Sequence, residues 1–295
     1  MTQISLIQLL RQIQEGLTSE TDHREQQQIA FLLLERLANI RKSDLLLDKQ
    51  VIWSDGKDAQ LKDYLDQLNK AIPVQYVLGE AHFWGREFKV NPTVLIPRGE
   101  TEELVQWIIS EHKSHTNGRL LDIGCGSGCI AISLALELPL WSAYACDISP
   151  EALQVTKNNA LDHHCELDVF EVDILREIPK VDPFDLIVSN PPYIPLHETK
   201  TMEEKVVGFE PKEALFVPDD NPLLFYRRII EISPNLLKPG GWLYFEIHQS
   251  QGSAILEIFD TSTWRHFELK KDIHGKDRMI QAQTRLTSFE VSNPG

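Results

Sequence analysis

Cysteine is scarce in this chain. Only Cys125, Cys129, Cys146 and Cys165 occur in 295 residues, and in a long chain without a secretory start they argue against a disulfide framework. No Cys-x-x-Cys pair has a matching partner, so a zinc site is not indicated. His163-His164-Cys165 reads as a surface turn, because neighbouring loop residues rarely converge on one ion. Positive charge is also short: 29 Lys plus Arg stand against 44 Asp plus Glu, a net charge of −15. A partner held mainly by its phosphate backbone needs clustered cations, so direct nucleic-acid binding is not expected. No apolar run approaches the length of a membrane span. Met1-Thr2-Gln3-Ile4 lacks the basic start and unbroken apolar core of a signal peptide. A cytoplasmic protein without membrane contact is expected. Internal repeats and low-complexity tracts are missing as well, and nothing demands a dimer, so a monomer is expected.

Apolar residues make up 42% of the chain, enough for a well-formed core. Ile4, Leu6, Ile7, Leu9, Leu10 and Ile13, then Ile29, Leu32, Leu33, Leu34 and Leu37, fall at helical spacing. With shorter helices near 43–47 and 58–69, residues 1–72 read as a small helical bundle. It carries no Gly-rich loop and no convergent polar cluster. From Pro73 the texture changes, and aromatic and β-branched residues around Gly85 predict a β-hairpin. Acids at Glu100 and Glu102 then load the first turn of a helix, as the helix dipole favours. From Arg119 onward strands and helices alternate. Strands are expected at 119–123, 142–146, 168–172, 184–189 and 242–247, with two more near 265–270 and 278–283. This is the α/β pattern of a mostly parallel, seven-stranded sheet with helices on both faces. The expected organisation is a helical domain at 1–72, a hairpin linker at 73–97, a catalytic domain at 98–286 and a frayed tail at 287–295.

The first of those strands ends in Asp122-Ile123-Gly124-Cys125-Gly126-Ser127-Gly128. Glycines let the backbone turn sharply and approach a ligand where a strand hands over to a helix. A dinucleotide would place its pyrophosphate there, but Asp122 would repel a phosphate and suits a cation-bearing ligand. That favours S-adenosylmethionine, which carries a sulfonium and an ammonium. Asp147, ending the second strand, is placed to accept hydrogen bonds from ribose hydroxyls. Asp173 ends the third strand, where it would bond an adenine amino group, with Ile174 packing on the base.

The fourth strand ends in Ser189-Asn190-Pro191-Pro192-Tyr193. The prolines lack a backbone donor and stiffen the segment. Asn190 offers a neutral side-chain acceptor and Tyr193 a flat ring. Together they make a cradle for a planar NH2 group, whether of a base or an amide. Such a nitrogen is a poor nucleophile, because its lone pair is delocalised. Asn190 Oδ1 and the Pro191 carbonyl can hold its two hydrogens so that the lone pair faces a methyl group, which is catalysis by positioning and electrostatics. No general base is evident in the motif.

Across nearly its whole length the chain resembles the N5-glutamine methyltransferases of class I peptide chain release factors. The resemblance rests on Gly79-Glu80 with Phe83-Trp84-Gly85, Leu95-Ile96-Pro97-Arg98 with Glu100-Thr101-Glu102, the Asp122 to Gly128 turn and Ser189 to Tyr193. Glu210-Pro211 with Ala214-Leu215, Gly240-Gly241, and Asp272 with Gly275 and Asp277-Arg278 complete it. It implies a helical N-terminal domain, a hairpin linker and a Rossmann-like class I methyltransferase domain. It further implies methyl transfer to the glutamine of a Gly-Gly-Gln loop, in support of translation termination. By the same match Gly124, Gly126, Gly128, Asp147 and Ile174 contact the cofactor, and Asn190, Pro191 and Tyr193 hold the glutamine amide. Cys125, Ser127 and Asn190 join the cofactor set, and Pro192 the substrate set. Two departures stand out: Gly99 where the family usually has Pro, and His248 where Gly is usual.

The nearest rival is an adenine-N6 methyltransferase, since adenine N6 is also a planar NH2 delivered by base flipping. Net acidity and the lack of a basic, aromatic-interleaved segment weigh against it. An idle cofactor-binding scaffold would not need both Asn190 and Tyr193. A dehydrogenase comes last, because of Asp122.

Overall fold

A computed structural model describes residues 1–18, 22–201 and 204–286. The tail expected at 287–295 lies outside the described residues. The chain forms two compact units, Met1–Glu80 with Glu203–Phe209, and Ala81–Met202 with Glu210–Gly295.

In the first unit, helices α1 (Leu6–Gly16), α2 (His23–Ala38), α3 (Lys42–Leu46), α4 (Asp55–Leu68) and α5 (Val74–Leu78) bury Leu9, Ile13, Leu33, Leu34 and Leu68. Side-chain oxygens satisfy the first free backbone donors of three of them: Ser5 for α1, Asp22 for α2 and Ser54 for α4. Two features differ from the expected all-helical bundle. Strands β1 (Thr2–Ser5) and β2 (Gln50–Trp53) pair antiparallel, with Ile4 opposite Val51. Ile4 fits the helical pattern, but Ser5 is the cap that starts the helix after it, so Ile4 is left extended. The unit also continues to Glu80, past the boundary expected at 72, because α5 adds Val77 to the same core.

The second unit opens on the hairpin β3 (Glu80–Phe83) and β4 (Arg86–Lys89). Trp84 and Gly85 both take positive φ, 51° and 69°, which matches the turn to the twist of the strands. Next come α6 (Gly99–His112), β5 (Gly118–Ile123), α7 (Cys129–Glu137), β6 (Trp141–Asp147), α8 (Pro150–Asp162), β7 (Asp168–Glu171) and β8 (Phe184–Ser189). A short β9 (Ile194–Pro195), then α9 (Glu204–Phe209), which belongs to the first unit, and then α10 (Lys212–Leu215) and β10 (Phe216–Val217) lead to α11 (Leu224–Leu236). The chain finishes through β11 (Leu237–Glu246), α12 (Gly252–Leu256), β12 (Trp264–Lys271) and β13 (Asp277–Thr284).

Seven strands form one sheet in the order β12-β13-β11-β8-β5-β6-β7. The five from β11 to β7 run parallel, and β13 pairs antiparallel with β11 and with β12. Alternate side chains feed two cores, as period-2 strands require. Leu121, Ile187, Leu243 and Phe245 meet α11 on one face. Leu120, Leu186, Val188 and Tyr244 meet α6, α7 and the hairpin's Phe83 and Phe88 on the other. Successive strands run outward from β5 through β6 to β7, then restart on its other side at β8. The carboxyl ends of β5 and β8 therefore flank the switch point where open α/β sheets bind ligands.

Candidate active site

The turn after β5 is held open from behind. The N–H groups of Gly124 and Cys125 both donate to Cys146 O, at 2.9 and 3.0 Å. Thr156 Oγ1 donates to Gly126 O at 2.8 Å, and Asn159 Nδ2 to Ser127 O at 2.8 Å. Gly124 and Gly126 take positive φ and, among the described residues, have no other atom within 4 Å of where a Cβ would stand. Gly128 also has positive φ, but there a Cβ would fall 2.8 Å from Thr156 Cγ2. The turn is thus open on its outer edge and tight against α8. Cys125 and Ser127 are buried, with Cys125 packed beside Ala131, Ala145 and Leu153. Burial pushes the Cys129 thiol up to about 12.

Asp122 is fully buried. Its Oδ2 accepts from Ala131 N at 3.2 Å, while Oδ1 is buried with no partner among the described residues. Burial lifts this carboxyl to about 7, and the charge of Asp147 adds to the effect. Asp147 lies half-buried at the end of β6. It accepts from Gly126 N at 2.9 Å and from Ser149 N at 3.0 Å. The cap of α8 is Ser149, so Asp147 is not spent as a helix cap. Next to it Ile148 is 57% exposed, an apolar side chain set out in solvent. Asp173 Oδ1 accepts from Leu175 N, and Oδ2 pairs with Arg176 at 3.2 Å. Ile174 is buried in the core that includes Val172.

The end of β8 is tied to the end of β5 by Ser189 Oγ, which donates to Ile123 O at 2.7 Å. The Asn190 to Tyr193 segment therefore starts beside the glycine turn. Pro191 is buried; Asn190, Pro192 and Tyr193 are half-buried. Asn190 Nδ2 donates to Thr101 Oγ1 at 3.4 Å. Thr101 Oγ1 donates in turn to Glu246 Oε2 at 2.5 Å, and Tyr193 Oη donates to Glu246 Oε1 at 3.2 Å. Burial and the neighbouring Glu246 push the Tyr193 phenol up, so it stays a donor. Burial also raises the Glu246 carboxyl, against the hydrogen bond from Thr101 and the positive charge of Arg278. Arg278 is itself held by Asp272 at 3.2 Å.

The Ile-Pro-Arg segment and Glu210 meet across the sequence: Arg98 Nη2 pairs with Glu210 Oε1 at 2.5 Å, and Ile96 N donates to Glu210 Oε2 at 3.3 Å. His248 lies with its ring 5.9 Å from that of Tyr193 and its Nε2 3.5 Å from Glu198 Oε2. Gly99 is the first residue of α6.

Residues 8–79 match the family described as the PrmC N-terminal domain, and residues 100–208 the Methyltransferase small domain. The release factor glutamine methyltransferase of Flavobacterium psychrophilum is 42% identical over 93% of this chain and 97% of its own. That of Bacteroides thetaiotaomicron is 41% identical over 92% and 97%.

The chain belongs to the release factor glutamine methyltransferase family.

The family's Bacillus subtilis member is 38% identical over 89% of this chain and 93% of its own. Among solved structures, the hMettl16 catalytic domain matches with a TM-score of 0.55 at 16% identity, over 82% of this chain and 86% of that one. At that identity the likeness shows a shared class I methyltransferase fold and nothing of the substrate. The reading of the sequence gave no role of its own to Glu246, to Thr101, which it quoted only as part of the resemblance, or to Ile148. Glu246 carries a visible signal, an acid closing the apolar run of a central strand. Thr101, inside an acidic helix start, and Ile148, after Asp147, carry almost none.

Proposed function

We propose that this enzyme transfers the methyl group of S-adenosylmethionine to the side-chain amide nitrogen of the glutamine in the Gly-Gly-Gln loop of class I release factors, acting as a cytoplasmic monomer without direct nucleic-acid contact. The observation that carries the reading is the adjacency of the two strand ends: the amide cradle leaves β8 beside the glycine turn that leaves β5, with Ser189 bonded to Ile123 at 2.7 Å.

The residues present fit the cofactor. The outer edge of the turn is free at Gly124 and Gly126 for a ligand to lie against the backbone. Asp122 Oδ1, without a partner among the described residues, suits a cationic ligand and would disfavour a pyrophosphate. Asp147 keeps a second lone pair on each oxygen for ribose hydroxyls after its two backbone bonds. Cys125, Ser127 and Gly128 shape the turn, and Asp173 and Ile174 close the adenine end. When bound, S-adenosylmethionine supplies an electrophilic methyl group on a sulfonium.

The chain's own residues then work by orientation. Asn190 Oδ1 and Pro191 O take the two amide hydrogens of the glutamine, and Pro192 keeps the segment stiff. Tyr193, neutral and fixed through its hydroxyl, offers its ring as a flat wall. Holding both hydrogens turns the nitrogen lone pair out of conjugation and toward the methyl, and favours the charge that develops on nitrogen. Asn190 cannot serve as a base, so the proton leaves after transfer.

Labelled S-adenosylmethionine incubated with a purified release factor tests this. The expected result is one added methyl on the glutamine of the Gly-Gly-Gln peptide by mass spectrometry, abolished by Asn190→Ala. Label on nucleic acid with the release factor unlabelled would overturn the reading.

A further inference from the structure

An asparagine amide has two ends of nearly the same shape, and only its hydrogen bonds decide which end faces a ligand. In this site that decision is traceable. Glu246 ends the central strand β11 and is 1% exposed. Each of its oxygens accepts from one hydroxyl: Oε2 from Thr101 Oγ1 at 2.5 Å and Oε1 from Tyr193 Oη at 3.2 Å. Both hydroxyl protons point at Glu246. With its proton committed, Thr101 Oγ1 has only lone pairs to offer elsewhere. Its other neighbour is the Asn190 amide at 3.4 Å, so the end of Asn190 that turns to it is the Nδ2 donor.

We infer that Thr101 and Glu246 are positioning residues of the methyl transfer: they lock the Asn190 amide with Oδ1 toward the substrate, and Glu246 fixes the Tyr193 ring by the same device. This inference rests on the proposed glutamine substrate, because an NH2 group needs an acceptor from Asn190. Without the lock the amide could turn its own NH2 toward the glutamine NH2, placing donor against donor. A buried carboxylate is costly to desolvate. Here that cost maintains a one-way chain of hydrogen bonds from Glu246 through Thr101 to Asn190. Such chains act as a unit, so removing the middle link uncouples its ends.

The test compares Thr101→Val, which keeps the shape and loses the hydroxyl, with Thr101→Ser, which keeps the hydroxyl. Three quantities are read: kcat and KM for transfer to a purified release factor, the Kd for S-adenosylmethionine, and the side-chain amide NMR signals of Asn190, identified by their loss in Asn190→Ala. Thr101→Val is expected to lower kcat by about 10- to 100-fold, the size of loss that misplacement of a reacting group produces. It should leave the cofactor Kd near wild type and shift or broaden the Asn190 amide signals. Thr101→Ser should restore most of the rate and the wild-type signals. If Thr101→Val fails to fold, Thr101→Ala, which adds no atom to the pocket, should show the same loss. Wild-type kcat and unmoved Asn190 signals in a folded hydroxyl-free variant overturn the inference while the proposed substrate stands. If the wild type methylates no release factor, the substrate reading falls, and moved Asn190 signals in Thr101→Val still support the lock.

Discussion

Two glycines of one turn, four residues apart, should respond differently to the same added methyl group. Both take positive φ, 75° at Gly124 and 79° at Gly128, so alanine at either carries a backbone strain of about 1–2 kcal/mol. The surroundings differ. At Gly128 a Cβ would lie 2.8 Å from Thr156 Cγ2 and 3.1 Å from Ile132 Cδ1, on two packed helices. Overpacking of this kind costs about 1–3 kcal/mol more, so Gly128→Ala should lose about 2–5 kcal/mol in total. At Gly124 nothing among the described residues lies within 4 Å of the new atom, and the strain stands alone. The open space there is where the proposed reading puts the cofactor. Gly124→Ala should therefore weaken S-adenosylmethionine binding by more than its small loss of stability accounts for. Urea unfolding and isothermal titration of both variants measure the two effects separately. Equal losses of stability, with the cofactor affinity of Gly124→Ala unchanged, would refute the placement of the ligand along the outer edge of the turn.

The Asp122 carboxyl sits at about 7 against an ordinary 3.8, because it is buried. Its contribution to stability is thus full below about pH 4 and is lost as the pH rises through about 7. Asp122→Asn should flatten that decline, as urea midpoints at pH 5 and pH 8 would show. A cationic ligand favours the ionised form, so S-adenosylmethionine should bind more tightly as pH rises through about 7, with proton release visible in titrations run in buffers of different ionisation enthalpy. Gly99 opens α6 with open space around it, so Gly99→Pro should stabilise the protein by about 0.4–1 kcal/mol, read as a higher Tm. Arg98→Met removes the cationic partner of the buried Glu210 carboxylate. It should cost about 1–3 kcal/mol in urea unfolding, and Glu210→Gln on that background should recover part of the loss.

Much of the second unit was legible because its signals are local. The alternation of strand and helix, and glycines or prolines placed where strands end, fix where the chain can turn and which ends carry functional groups. The short antiparallel ribbon of the first unit was not legible. Its pairing joins Thr2–Ser5 to Gln50–Trp53, and a four-residue strand has no periodicity that a neighbouring helix cannot imitate. In the proposed site, Asn190, Tyr193 and Asp147 were named as candidates from their positions after strands. Thr101 and Glu246 could not be given roles, because their partners lie 89, 145 and 53 residues away in the chain.

The sequence alone determined the kind of chemistry: a glycine turn with an acid before it, a second acid after the next strand, and a neutral amide between strand and prolines. These are properties of adjacent residues, set by backbone geometry and side-chain charge. Only the tertiary structure decided which way the amide faces. That orientation belongs to a carboxylate brought in by β11 and a hydroxyl brought in by α6, and nothing in the neighbourhood of Asn190 in sequence carries the proton that settles it.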